Sequence, residues 1–458
     1  MRSIVSLMTH ARPPAECLLA AAMLLAAPAR AHDMDAGSMP ADTAAGDSLP
    51  ALIARALRLN PALVAGSHEV RALHNSPEHA WHLDAPQVGV EFYQAPLGSF
   101  PNPLRRQMEI DYSIQQALPF PGKIGKRIRA EHGHARRGEA ELEAEGRRVA
   151  RDVKAAYYAL YLAEKRRDLN ARAREWAGRI IDAARRRYEV GIGTQSEVLR
   201  AQSEATRLRM DSIGLDQDRL AIAADLNAMA DRDPGRAIAM ADTLPPHPGG
   251  WSPERVGEAA GPGHPDRKIR LADIEARQAE ASLASSGWLP DFTVGGAYKD
   301  MRTAPAGSHG GEPGDAWSVM AAMTLPIAPW SLRGTRAGQV QAEALEAKAR
   351  AELRGAQRNV ASRARTAAYA EAAARERLRL ATEILRPQAR QARESALAAY
   401  QGGNGGFPEA LDAYRGDLAA QEECEAALAA LLTAQAELEA AAGMDLDGLA
   451  RKAGGMAR

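Results

Sequence analysis

Arg106 to Arg127 reads RQMEIDYSIQQALPFPGKIGKR, and the rest of the chain is organised around this stretch. Met108, Ile110, Tyr112, Ile114 and Leu118 fall on even positions, interrupted only by Gln116. The odd positions Gln107, Glu109, Asp111, Ser113 and Gln115 are polar. Strict period two over about ten residues predicts a strand with one apolar and one polar face. Its length suits a tilted strand that crosses a bilayer, apolar face to lipid and the Ser113 face to a polar interior. The alternation stops at Pro119-Phe120-Pro121-Gly122, and a long helical pattern opens at Lys123.

The same plan occurs twice. Asn60-Pro61 and Pro86 recur as His264-Pro265 and Pro290, 204 positions later, and Leu118-Pro119 as Leu325-Pro326, 207 later. Tyr188, Gly191, Gly193, Glu197, Leu199 and Ala201 recur as Tyr400, Gly403, Gly405, Glu409, Leu411 and Ala413, all 212 later. A constant offset within elements, changing only between them, marks an internal duplication. Each half predicts a helix, a β-hairpin, a very long helix, a tight turn and a shorter helix.

The predicted organisation follows. Residues 1–31 read as a secretory signal: Arg2 and Arg12 precede the apolar run Cys17–Ala27, and Ala29-Arg30-Ala31 offers a cleavage point. Residues 32–47 are a polar leader whose His32, Met34 and Met39 have no spacing that fixes a metal geometry. The first repeat spans 48–230, with strands near 86–94 and 105–119 and a long helix over 123–188. Within that helix Val149, Val153, Ala156, Leu160 and Ala163 make a coiled-coil seam. A Pro/Gly-rich connector occupies 231–250. The second repeat spans 251–449, with strands near 290–300 and 315–326 and a long helix over 335–400 that Pro387 is expected to bend. Residues 450–458 form a tail.

Composition limits the function classes. The 58 basic residues balance 58 acidic ones, which gives no electrostatic footprint for nucleic acid. After removal of the signal Cys424 is the one remaining cysteine, so no intrachain disulfide forms. No stretch beyond the signal reaches the roughly 20 apolar residues of a membrane-spanning helix. Metalloprotease, serine-hydrolase and phosphate-loop motifs are missing, so the chain is not expected to be an enzyme, and no cofactor is expected. Four amphipathic strands fall short of the about eight that the smallest membrane barrels need, so several chains must pool their strands. Three copies, each adding four, would give about twelve.

This pattern resembles the TolC-type outer membrane efflux proteins over Ser48 to about Leu449. The resemblance rests on the duplicated Tyr-x-x-Gly turn followed by Leu-x-Ala, and on the Leu118-Pro119-Phe120-Pro121-Gly122-Lys123 junction, which is similar to the heavy-metal branch serving cation, copper and silver pumps. It implies a mainly α fold with β hairpins: a homotrimeric outer-membrane β-barrel continued by a long periplasmic α-helical barrel. The implied function is the exit duct of a tripartite efflux pump in the cell outer membrane, with outer-membrane lipid, a periplasmic adaptor and an inner-membrane pump as partners. The channel of a type I protein-secretion system, or a periplasmic adaptor with helical hairpins, are the alternatives. By the same resemblance Glu409 and Asp412 match an acidic pair that rings the periplasmic aperture. Helix-dipole complementation accounts equally for acids in a first helical turn. Arg185, Arg186, Arg187 and Arg415 are candidate partners of these acids.

Overall fold

A computed structural model describes residues 47–93, 109–301 and 314–453. The expected signal, most of the leader, Met108, the first hairpin loop and the end of the tail lie outside the described residues. Helices α1 (Leu49–Leu59) and α2 (Pro61–Trp81) come first. Each begins with a proline in its first turn, where the missing N–H is no loss. Strands β1 (Gln87–Tyr93) and β2 (Glu109–Leu118) follow, then α3 (Lys123–Glu189) and α4 (Gln195–Met229). The second half repeats this order as α5 (Pro253–Ala259), α6 (Pro265–Ala284), β3 (Asp291–Met301), β4 (Ala316–Thr324), α7 (Pro329–Leu380), α8 (Arg386–Gln401), α9 (Phe407–Ala442) and α10 (Leu446–Ala453). At 67 residues α3 is about 100 Å long. α7 starts six residues before the expected 335, because Pro329 sits in its first turn, and α10 extends into the expected tail.

The four strands form one antiparallel sheet in the order β1-β2-β3-β4. The hairpins therefore join through the β2–β3 seam, from Glu109 opposite Met301 to Leu118 opposite Phe292. The pairing preserves the alternation: Val88 meets Ile114, Val90 meets Tyr112, and Tyr112 meets Tyr298. Val88, Val90, Ile114, Val294, Val319 and Met323 stay exposed on one face. Ile110 departs from the expectation. Opposite Phe92 and Asp300 it keeps the apolar face by register, but it is only 2 % exposed.

Two hydrophobic cores repeat one another. In the first half Leu52 and Ala56 pack on Val149, Val153, Tyr157, Leu226 and Ala230. In the second, Val256 and Ala260 pack on Val360, Ala364, Ala368, Leu438 and Ala442. Val149 and Val360 are 211 positions apart, whereas the turns nearer the helix ends are 212 apart. One π-helical turn, Ala381–Leu385, accounts for the extra residue. The N–H of Arg386 reaches back five residues to the carbonyl of Ala381, which also accepts from the buried thiol of Cys424 at 3.3 Å. Pro387 follows directly, so the missing N–H is accommodated by a locally widened turn where the sequence predicted a bend.

Candidate functional site

The two turns that reverse the long helices are built alike. Gly191 and Gly403 hold φ of 76° and 77°, a left-handed conformation that a side chain disfavours. The N–H of Gly191 donates to the carbonyl of Tyr188 at 3.0 Å, and that of Gly403 to Tyr400 at 3.3 Å. Ile192 and Asn404 then close back on Arg187 and Ala399, each at 2.9 Å. Gly193 and Gly405 pass so close to those helix ends that a Cβ would lie 3.0 Å from the Cβ of Arg187 or of Ala399. The duplication is thus a duplication of geometry, imposed by glycines at fixed spacing.

The environments of the turns differ. Tyr188 is 50 % exposed, but Tyr400 is 6 % exposed and packs edge-on against Phe407 with ring centroids 5.8 Å apart. The guanidinium of Arg187 lies 4.8 Å over the Tyr400 ring. Burial pushes the Tyr400 phenol above its ordinary range, and the charge of Glu197 adds to the shift while Arg187 opposes it. Around them Ala201, Ala410 and Leu411 form a small core with Trp176, Ile180, Ile181 and Leu397. One turn further, Trp176 on α3 and Tyr414 on α9 stack face to face, centroids 3.5 Å apart and planes within 6°.

Glu409 and Asp412, the expected acidic pair, are both exposed in the first turns of α9. The Glu409 carboxylate folds over Gly406, where a Cβ would collide with it. Asp412 takes an ion pair from Arg415 at 3.3 Å. The stronger partner of Arg415 is Glu204 on α4: Nε donates to Oε1 at 3.2 Å and Nη2 to Oε2, a two-pronged pair. Hydrogen bonding to Glu204 holds this guanidinium further toward its charged form. Of the arginines expected as partners, Arg415 therefore meets Asp412, and Arg187 meets an aromatic ring. Glu204 and the Trp176–Tyr414 stack were missed in the sequence because no motif marks them. Beside the Glu204 pair a cleft of about 710 Å³ opens between α4 and α9 over α3, lined by Asn170, Leu208, Leu215 and Leu418.

At the other end of α3, Gly122 adopts φ 95° and redirects the chain between Pro121 and the helix. Buried Lys123 donates from Nζ to Asp291 Oδ1 at 2.8 Å and to the carbonyl of Leu289 at 3.0 Å. Asp291 Oδ1 also accepts the N–H of Phe120 at 2.8 Å, and Phe120 stacks on Phe292. Phe120 and Lys123, on either side of the left-handed Gly122, thus tie the strand-to-helix transition of one repeat to the strand of the other.

Among the described residues no helix is long and apolar enough to cross a membrane, and no cluster of side chains has the composition of a metal site. The outer membrane efflux protein family model matches residues 52–231 and again 265–444, one match per repeat. A search of curated proteins finds no match. Several solved structures share the fold. VceC of Vibrio cholerae superposes with a TM-score of 0.70 at 19% identity, covering 87% of this chain and 96% of that one. CusC gives 0.72 at 15% identity, covering 86% and 92%. The open state of MtrE from Neisseria gonorrhoeae gives 0.67 at 16% identity, covering 87% and 90%. With both repeats matched, the outward apolar sheet and the paired turns find their explanation: the chain belongs to the outer membrane efflux protein family, non-enzymatic channels of the outer membrane with a periplasmic helical extension.

Proposed function

We propose that three copies of this chain form the exit duct of a tripartite pump, and that the duct passes small solutes, heavy-metal cations among them. The observation that carries the assembly is the sheet itself: among the described residues β1 and β4 each pair on one side only. Such edges in lipid leave backbone groups unsatisfied, at a cost of several kcal/mol each. Three sheets joined edge to edge would close a barrel of about twelve strands. An adaptor and an inner-membrane pump complete the reading, and the cleft between α4 and α9 offers the adaptor a place on the helical wall.

The cation preference rests on Glu409 and Asp412, together with the Leu118–Lys123 junction. Both acids are exposed beside a turn that reverses the helices. Threefold symmetry would gather their six carboxylates around one aperture, where they attract cations and repel anions. The test is the double variant Glu409→Ala/Asp412→Ala in planar bilayers. Cation selectivity falls in this reading, most clearly at low salt, where screening is weakest. If the acids serve only the helix dipole, selectivity is unchanged and stability drops slightly. Loss of copper or silver tolerance in cells lacking the chain would support the metal cargo; unaltered tolerance would remove it.

A further inference from the structure

The polar face of the sheet carries its charges unevenly. Residues directly opposite one another on neighbouring strands share a face. Glu91, Asp111, Lys299 and Ala316 make one such rung, and Tyr93, Glu109 and Met301 the next toward the hairpin loops. In the other direction come Gly89, Ser113, Ala297 and Ser318, then Gln87, Gln115, Gly295 and Met320, and none of these is charged. Among the described strand residues Asp291 holds the one remaining charge of this face, and Lys123 takes it. The long helices leave the sheet after Leu118 and Thr324, so the charged rungs lie at the end away from the periplasm.

Lys299 joins these charges. Its Nζ donates to Glu109 Oε1 at 2.6 Å and to Asp111 Oδ2 at 2.8 Å, across the β2–β3 seam between the repeats. Among the described strand residues it is the one base on this face, against Glu91, Glu109 and Asp111 in the same two rungs. Glu91 is exposed and has no ion pair among the described residues. The side chain of Asp111 is 16% exposed and its Oδ1 accepts no hydrogen bond, so Lys299 is its charged partner.

We propose that Lys299 is a selectivity-determining residue of the duct: it limits the negative charge of an outer layer made by Glu91, Glu109 and Asp111, separate from Glu409 and Asp412 at the turns. The inference rests on the barrel proposed above, with this face turned to the lumen. Strands about 4.8 Å apart and tilted by about 40° give a barrel of about twelve a radius of about 12 Å. The Debye length is about 10 Å at 0.1 M salt, about 30 Å at 0.01 M and about 3 Å at 1 M. Charges on the wall therefore reach the axis at low salt and are screened from it at high salt. Three acids against one base leave the layer negative, so it favours cations leaving the duct. Lys299 keeps that preference below what the acids alone would impose.

The local potential can be read at Ser318→Cys, since Ser318 is exposed, on the same face and one rung from Lys299. In a Cys17→Ser/Cys424→Ser background the purified full-length protein, in neutral detergent, is treated with a trimethylammonium and with a sulfonate thiosulfonate reagent. The quantity measured is the ratio of the cationic to the anionic rate. Lys299→Gln should raise it about fourfold at 0.01 M salt and scarcely at 1 M, and Lys299→Arg should match the wild type. Because Lys299→Gln strands Asp111, the comparison is repeated in Asp111→Asn, where adding Lys299→Gln should again raise the ratio. A trimer whose ratio is unmoved in both backgrounds, or moves equally at 1 M, overturns the role of Lys299 and leaves the barrel standing. Lowered stability with an unmoved ratio would reduce Lys299 to a tether between the repeats. A cysteine that neither reagent reaches in the folded protein, or a native mass of one chain, overturns the barrel and this inference together.

Discussion

The guanidinium of Arg415 on α9 meets the carboxylate of Glu204 on α4 with both of its prongs, although 211 residues separate them. Glu204's side chain is only 8% exposed and Arg415's is 42%. Arg415 also holds Asp412, so one cation ties the candidate aperture acid to α4. Arg415→Ala strands the Glu204 carboxylate away from water. The expected loss is about 1–3 kcal/mol, read as a lower denaturation midpoint in detergent. The exchanged pair Glu204→Arg/Arg415→Glu should recover part of that loss. A midpoint equal to wild type in the single variant would show that the pair contributes nothing.

The apolar sheet face makes a second expectation. Val319 is 74 % exposed on the face that the alternation assigns to lipid. Arginine there should cost about 2–4 kcal/mol if it lies near the bilayer midplane. Arginine at Ser113, on the opposite face of β2, should be much milder. Membrane fractionation and heat-modifiable mobility of Val319→Arg and Ser113→Arg provide the comparison, and equal losses would reverse the face assignment.

A pH dependence follows from His264, which caps α6. Its Nδ1 accepts the N–H of Asp266 at 3.1 Å, so this nitrogen must be unprotonated. Burial holds the imidazole below its ordinary pKa; Asp266 and a hydrogen bond to the backbone of Ala440 oppose the shift, while Arg147 and Arg363 reinforce it. The unfolded chain then takes up a proton more readily than the folded one. Stability present above about pH 6.5 is lost as pH falls through the lowered folded value. Unfolding midpoints at pH 7 and pH 5 should differ more in the wild type than in His264→Asn, which keeps a cap acceptor but no titrating ring. Identical pH slopes would assign the acid sensitivity elsewhere.

The parts legible in the sequence are those governed by short periods. The hairpins followed from alternation at Val88–Phe92 and Ile110–Leu118, and the turns from Gly191 and Gly403, which only tolerate a left-handed backbone cheaply. The Glu204–Arg415 pair was not legible, because a salt link between elements that are far apart in sequence leaves no spacing to find. The burial of Ile110 was not legible either: period assigns its face, which the register keeps, but burial depends on what lies above it. Pro387 announced an irregularity without its type, since a kink and a widened turn both answer a missing N–H.

That widened turn has a consequence for how the halves have diverged. One added residue in an α-helix rotates everything beyond it by about 100°. Such a rotation in the helix ending at Tyr400 would swing that ring away from Phe407 and Arg187. Confining the addition to Ala381–Leu385 leaves the azimuth downstream unchanged. The second repeat thus has tolerance to a change in length far from its end, as an expansion joint lets a long beam grow without displacing its bearings.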